Sequence, residues 1–214
     1  MEFMRIRLTL TEDMLGTASA NPELHEEYIA SKAPDAQTMS EEVEALGVDA
    51  VMEKSMTVFP RDPDGDPMLW DYQIKGFFKD AAGVLKKVTG TVSSGIKAYK
   101  KEIDGLFFIR ERRIKIHSAD GITVIQRPLR AQTAQGERVA LASSESIPAG
   151  AYVEFTIICM RKGDLKAVRE WLDYGQYRGI GQWRNSGKGR FVWKELHAWT
   201  DNEGDASLYG EETA

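Results

Sequence analysis

The stretch from Gly175 to Phe191, GQYRGIGQWRNSGKGRF, constrains the fold more than any other part of the chain. Its five glycines (175, 179, 181, 187 and 189) bar a regular helix or strand, so most of it must be loop. What flanks it is regular. Leu165, Val168, Trp171 and Leu172 recur at helical spacing after Asp164, a suitable N-cap, and Gly175 stands where a helix-ending C′ residue is expected. A strand is expected from Arg190 to Trp199. The loop carries Arg178, Arg184, Lys188 and Arg190, with no acid, and Tyr177, Trp183 and Phe191 are set among them. Two readings follow. The glycines serve only to turn the chain tightly, or the exposed backbone, cations and rings together grip a single-stranded nucleic acid.

The net charge of -5 argues against such a ligand until its distribution is read. Residues 20–72 hold thirteen acids against three bases, whereas 73–115 hold eleven bases against four acids and 161–194 nine against three. The tail from Asp201 to Ala214 adds five acids and no base. Two basic blocks far apart in sequence make one surface only if the fold brings them together. No apolar run reaches the roughly 18 residues of a membrane span, and nothing resembles a signal peptide, so a cytoplasmic chain with no membrane partner is expected. The lone Cys159, in YVEFTIICM, reads as a core residue.

In chain order, Phe3–Leu10 alternates apolar and polar as a half-buried strand does. A loop with a turn at Gly16 follows, then helices opening at Asn21-Pro22 and at Ser40 within an acidic insertion of about residues 20–67. RDPDGDP (61–67) is a turn; it lacks the glutamate that would complete a calcium loop. A helix is expected from Tyr72 to Lys87, with Gly76 and Gly83 marking close packing or backbone access. A shorter one is expected over Ile96–Ile103. Leu106–Ile109 and Ile114–Ile116 read as strands of a hairpin joined through Arg110-Glu111-Arg112-Arg113, and Asp120-Gly121 signals another hairpin. Gln126–Ala142 turns at Gly136, and Pro148-Ala149-Gly150 leads into a strand over Tyr152–Met160. The order is strand, insertion, helix, strands, helix, strand: an α+β, ferredoxin-like (RRM-like) antiparallel sheet with a helical insertion and extra β-hairpins. Residues 1–200 are expected to form one domain and 201–214 a disordered acidic tail.

Motifs for other chemistries fail. A phosphate-binding P-loop needs four residues between its glycines and a Ser or Thr after the lysine. Here five separate Gly181 from Gly187, and Lys188 is followed by Gly189. A dinucleotide fingerprint opens a helix, whereas this loop closes one. His25, His117 and His197 show no metal-ligand spacing with Cys159, and no cofactor or metal is expected. His117 is a weak acid–base candidate, and Asp13 and Asp35 are weak candidates for holding magnesium near a scissile phosphate.

Two segments resemble the RAMP superfamily, the repeat-associated proteins that form the RNA-binding backbone of CRISPR effector complexes. QIKGFFKDAA (73–82) is similar to that family's I-P-G-S-S-[LI]-K-G segment, without its proline and serines. GIGQWRNSGKGRF (179–191) is similar to its glycine-rich ending. The resemblance implies phosphate contacts from Lys75, Gly76 and Lys79 and from Arg178, Arg184, Lys188 and Arg190. It implies backbone approach at Gly179, Gly181, Gly187 and Gly189, stacking on Tyr177 and Trp183, and a basic track through Arg110, Arg112, Arg113, Arg127 and Arg130. The chain looks like a small stand-alone relative of the kind met in phages and mobile elements. The expectation is a non-catalytic binder of single-stranded RNA, assembling as a homo-oligomer along the strand. The alternatives are a RAMP-type endoribonuclease and a phage-encoded inhibitor or sponge that occupies a host protein or nucleotide.

Overall fold

The computed structural model describes residues 1–19, 56–133 and 136–197. The helices expected to open at Asn21 and Ser40, Asp35, and the acidic tail lie outside the described residues.

Strand β1 (Glu2–Leu10) organises the main sheet. Its alternation buries Met4, Ile6, Leu8 and Leu10 and leaves Arg5 and Arg7 on the other face. Antiparallel neighbours flank it, β10 (Tyr152–Cys159) on one edge and β11 (Phe191–His197) on the other. Beyond β10 lie β6 (Phe107–Ile109) and β7 (Arg113–His117), and β5 (Met68–Trp70) pairs with β7. Helices α1 (Asp71–Leu85) and α3 (Leu165–Arg178) contribute Phe77, Phe78, Trp171 and Leu172 to the same core as β1. The short α2 (Tyr99–Leu106) adds Ile103. With β1 and β10 central and β11 and β6–β7 outside them, the two helices make the expected ferredoxin-like α+β core.

Aromatic contacts hold this layer together. Trp171 meets Phe78 and Phe107 at ring separations of 5.3 and 5.1 Å, and Phe77 packs edge-on to Phe191 at 5.7 Å. Cys159 is fully buried on β10, and burial pushes its thiol up to about 12, which leaves it inert. A second sheet joins β2 (Met14–Leu15), β3 (Ala18–Ser19), β4 (Thr57–Val58) and the long hairpin of β8 (Thr123–Thr133) and β9 (Gly136–Ile147).

Several local expectations change. Gly175 does not end its helix; α3 runs to Arg178 and stops at Gly179, whose φ is 75°. Gly175 is small because a methyl there would come within 2.3 Å of the Phe191 ring and 2.6 Å of Phe77. Asp164 makes no capping bond, and its carboxylate accepts from Arg161 at 3.1 Å. The Arg110–Arg113 run joins no hairpin: β6 and β7 both pair antiparallel with β10 and form one interrupted strand. Glu111 fills the break, accepting from Thr156 N–H at 2.7 Å and its hydroxyl at 3.0 Å. Asp120-Gly121 likewise joins strands of different sheets. Gly16 lies against backbone, where a methyl would be 2.4 Å from the Val58 carbonyl carbon. The expected turn at RDPDGDP forms, with the Asp62 carboxylate accepting from the N–H groups of Asp64 and Asp66 at 3.0 and 2.8 Å.

Candidate nucleic-acid interface

The segments that carry the two basic blocks meet, though of their cations only Arg184 lines the space between them. A cleft of about 690 Å³ is walled by the start of α1, by the glycine loop and by the β2–β4 region. From α1 come Tyr72, Gln73, Gly76 and Phe77. From the loop come Ile180, Gly181, Gln182 and Arg184, and from the third wall Leu15, Thr17, Ser19 and Thr57. Gln73 ties two walls together: its carbonyl accepts from Trp70 N–H at 2.7 Å, capping the helix start, while its amide donates to Thr17 Oγ1 at 2.6 Å. The floor is apolar (Leu15, Leu69, Phe77, Ile180) and the rim polar, the arrangement of a ligand site.

Sterics set the loop's shape. A methyl at Gly189 would stand 1.8 Å from the Ile180 carbonyl oxygen, and Ile180 N–H donates to the Gly189 carbonyl at 2.9 Å. The loop is thus a narrow double-backed ribbon in which Gly179 and Gly189 face its own backbone, while Gly181 lies against Leu15 and Gly187 against the Arg190 side chain. Gly76 is the reverse case: a methyl there would meet no atom within 4 Å, so it presents open helix backbone to the cleft. Gly83 packs instead: a methyl there would come within 3.0 Å of the Tyr99 hydroxyl.

Carboxylates from elsewhere in the chain anchor the loop cations. Arg178 Nε and Arg184 Nη1 both donate to Oδ2 of Asp80 on α1, at 3.0 and 2.8 Å. Lys188 pairs with Asp13 at 2.8 Å, and Arg190 donates to the Tyr177 carbonyl at 3.1 Å. The hydrogen-bonded Lys188 ammonium holds the Asp13 carboxyl below the usual aspartate range, against partial burial. Asp13 also accepts from Ala149 N–H at 3.3 Å, and its carbonyl accepts from Gly189 N–H at 2.7 Å, so it serves as a loop anchor. Four cations against two carboxylates leave a net positive loop. Such half-exposed pairs are worth about 0–1 kcal/mol each, so a phosphate replaces a carboxylate at little cost.

The other expected residues separate into groups. Lys75 and Lys79 do not line the cleft: Lys75 donates to the Asp104 carbonyl at 3.1 Å and sits over the Phe108 ring, and Lys79 pairs with the Asp104 carboxylate at 2.6 Å. Arg112 is paired with Asp71 and lies over the rings of Trp70 and Tyr72, 5.3 and 5.8 Å from their centroids, while Arg113 approaches Trp70 at 5.8 Å. Arg110 bonds through its N–H to the Thr156 carbonyl at 3.0 Å. Arg127 is buried, 7% exposed, with its guanidinium against Trp183. Arg130 is described by its backbone alone, paired with Val139. Tyr177 projects into solvent, 76% exposed. Trp183 is the one described non-glycine residue at positive φ, 55°.

Tyr72 and Gln73 are cleft residues that the motif comparison passed over. The aromatic pair in LWDYQ, just ahead of Gly76, was the available signal: Trp70 and Tyr72 stack at 6.3 Å, and Tyr72 remains half exposed. His117 lies elsewhere, stacked on Tyr152 at 4.7 Å in a hollow that shares no lining residue with the cleft. Arg7 also lies over the Tyr152 ring, 4.2 Å from its centroid. Among the described residues no group of three or more His, Cys, Asp or Glu is placed to hold a metal, and no helix is long and apolar enough to cross a membrane.

No protein-family model matches the sequence, and a comparison with curated proteins finds no match. Solved structures do match in fold. A chain of the Type III-B Cmr-beta complex bound to cognate target RNA, solved by cryo-EM, aligns at TM-score 0.50 and 11% identity over 92% of this chain. This chain spans 60% of the length of that one. A chain of a Type IV-B CRISPR complex aligns at TM-score 0.49 and 11% identity, over 98% of this chain and 93% of its own length.

Proposed function

We propose that the protein is a non-catalytic binder of single-stranded RNA that holds the strand in the cleft between α1 and the glycine loop. The observation that carries this reading is the shared cleft itself. It joins open helix backbone at Gly76, the half-exposed Tyr72 ring and the Arg184 side chain, beside a loop with surplus positive charge. Arginines supply planar donors to phosphate, exposed rings supply faces for bases, and the apolar floor accepts a base edge. Tyr177, at the end of α3, extends the stacking surface, and Arg112 and Arg113 continue the positive track past Trp70. The choice of RNA draws on the fold shared with a chain from an RNA-bound complex. Assembly of several copies side by side along one strand belongs to the same reading.

Fluorescence anisotropy with labelled single-stranded RNA at low salt, titrated with salt, tests it. Affinity should fall steeply with salt. Arg184→Ala with Lys188→Ala should weaken all sequences about equally and lower the salt slope by roughly 1.4, at about 0.7 for each phosphate no longer neutralised. Absence of binding at low salt overturns the proposal, and accumulation of cleavage products overturns its non-catalytic part.

A further inference from the structure

Arg127 belongs to β8 of the second sheet, yet its side chain ends beneath the glycine loop of the first. One guanidinium nitrogen, Nη2, donates to Gln182 Oε1 at 3.2 Å. The other two, Nε and Nη1, are buried and meet no hydrogen-bond partner among the described residues. Buried cationic donors without acceptors are rare, because desolvation strips them of water and returns nothing. Burial also pulls the guanidinium's pKa down.

The Trp183 ring lies 3.2 Å from the guanidinium carbon. A ring in that position satisfies the charge but not the N–H groups, which donate within the guanidinium plane and not through its face. Trp183 itself is held in the left-handed region at φ 55°, an unfavourable conformation for a bulky residue, between Gly181 and Gly187. Gln182, bonded to Arg127, lines the cleft. The orphaned donors are therefore one side chain from the cleft, under a ring whose backbone is strained and flanked by glycines.

We infer that Arg127 is a phosphate ligand for the bound strand, covered by the Trp183 ring in the free protein and uncovered when that ring turns outward. This rests on the reading of the cleft as a single-strand site. A phosphodiester supplies what the geometry lacks, an anion with several acceptor oxygens, and the released indole gains a free face for a base. Arg127 also couples the β8–β9 hairpin to the glycine loop, so occupation of the cleft is felt in both sheets.

The test compares wild type, Arg127→Met, Arg127→Lys and Trp183→Phe, each as the full chain, with labelled single-stranded RNA over a salt series. Arg127→Met should weaken binding about tenfold and lower the salt slope by roughly 0.7 without lowering the melting midpoint, since it removes buried donors that nothing accepts from. Arg127→Lys keeps the charge, should keep the slope, and guards against a folding failure in the first variant. Tryptophan emission should shift to longer wavelength on binding in the wild type, and lose that part of its shift in Trp183→Phe. Wild-type slope and affinity in Arg127→Met, or a melting midpoint that falls while the slope stays, would overturn this inference and leave the cleft reading standing. An emission change identical in Trp183→Phe would overturn the covering role. A wild-type protein that ignores RNA at low salt removes both.

Discussion

The glycine loop and the start of α1 face each other across one cleft, but their glycines are there for opposite reasons. In the loop, Gly189 is pressed against the Ile180 carbonyl, and the backbone has folded onto itself. At Gly76 the missing side chain leaves open space. The cations differ as well. Arg184 lines the cleft while paired with Asp80, whereas Lys75 and Lys79 turn to Asp104 and leave the cleft wall to Tyr72 and Gln73. Charge and glycine content mark the segments that wall the cleft; side-chain direction decides which of their residues line it.

Adding the same methyl group on each side separates the two roles with the largest effect. Gly189→Ala should cost about 3 kcal/mol or more, since the new atom overlaps backbone at a φ of 72°, and chemical denaturation reads it directly. Gly76→Ala should do the reverse, stabilising the helix by up to about 1 kcal/mol while weakening RNA binding severalfold. A drop in stability at Gly76, or tolerance at Gly189, would contradict the assignment of roles.

A smaller effect comes from the loop's anchor. The Asp13 carboxyl is held low in the folded state, so its contribution is fully present above about pH 4 and is lost as pH falls through the folded value. Asp13→Asn should therefore lower stability at neutral pH and flatten the acid side of the denaturation profile. An unchanged acid limb would mean that the Lys188 pair contributes nothing.

The sequence made the frame legible where one residue's neighbours in the chain are also its neighbours in space. The alternation of β1, the apolar stripe of α1, the RDPDGDP turn and the hairpin at Gly136 belong to that class. What it hid depends on distant partners. Gly175 reads as a helix terminator until Phe191 and Phe77 are seen pressing on it. Arg110–Arg113 reads as a hairpin until β10 is seen running past both strands with Glu111 plugging the gap. The loop's cations read as free because Asp80 and Asp13 lie 98 and 175 residues from Arg178 and Lys188. Arg127 reads as one more surface arginine because nothing local signals that Trp183 will close over it.

Ultraviolet crosslinking of bound single-stranded RNA, with the attached peptides located by mass spectrometry, shows whether the strand lies in the cleft. Attachment is expected at Tyr72 in the cleft, at Trp183 between the cleft residues Gln182 and Arg184, and at the exposed Tyr177 near the end of α3. Attachment at Tyr152 and His117 on the outer face of the sheet, with none in the cleft, would contradict it.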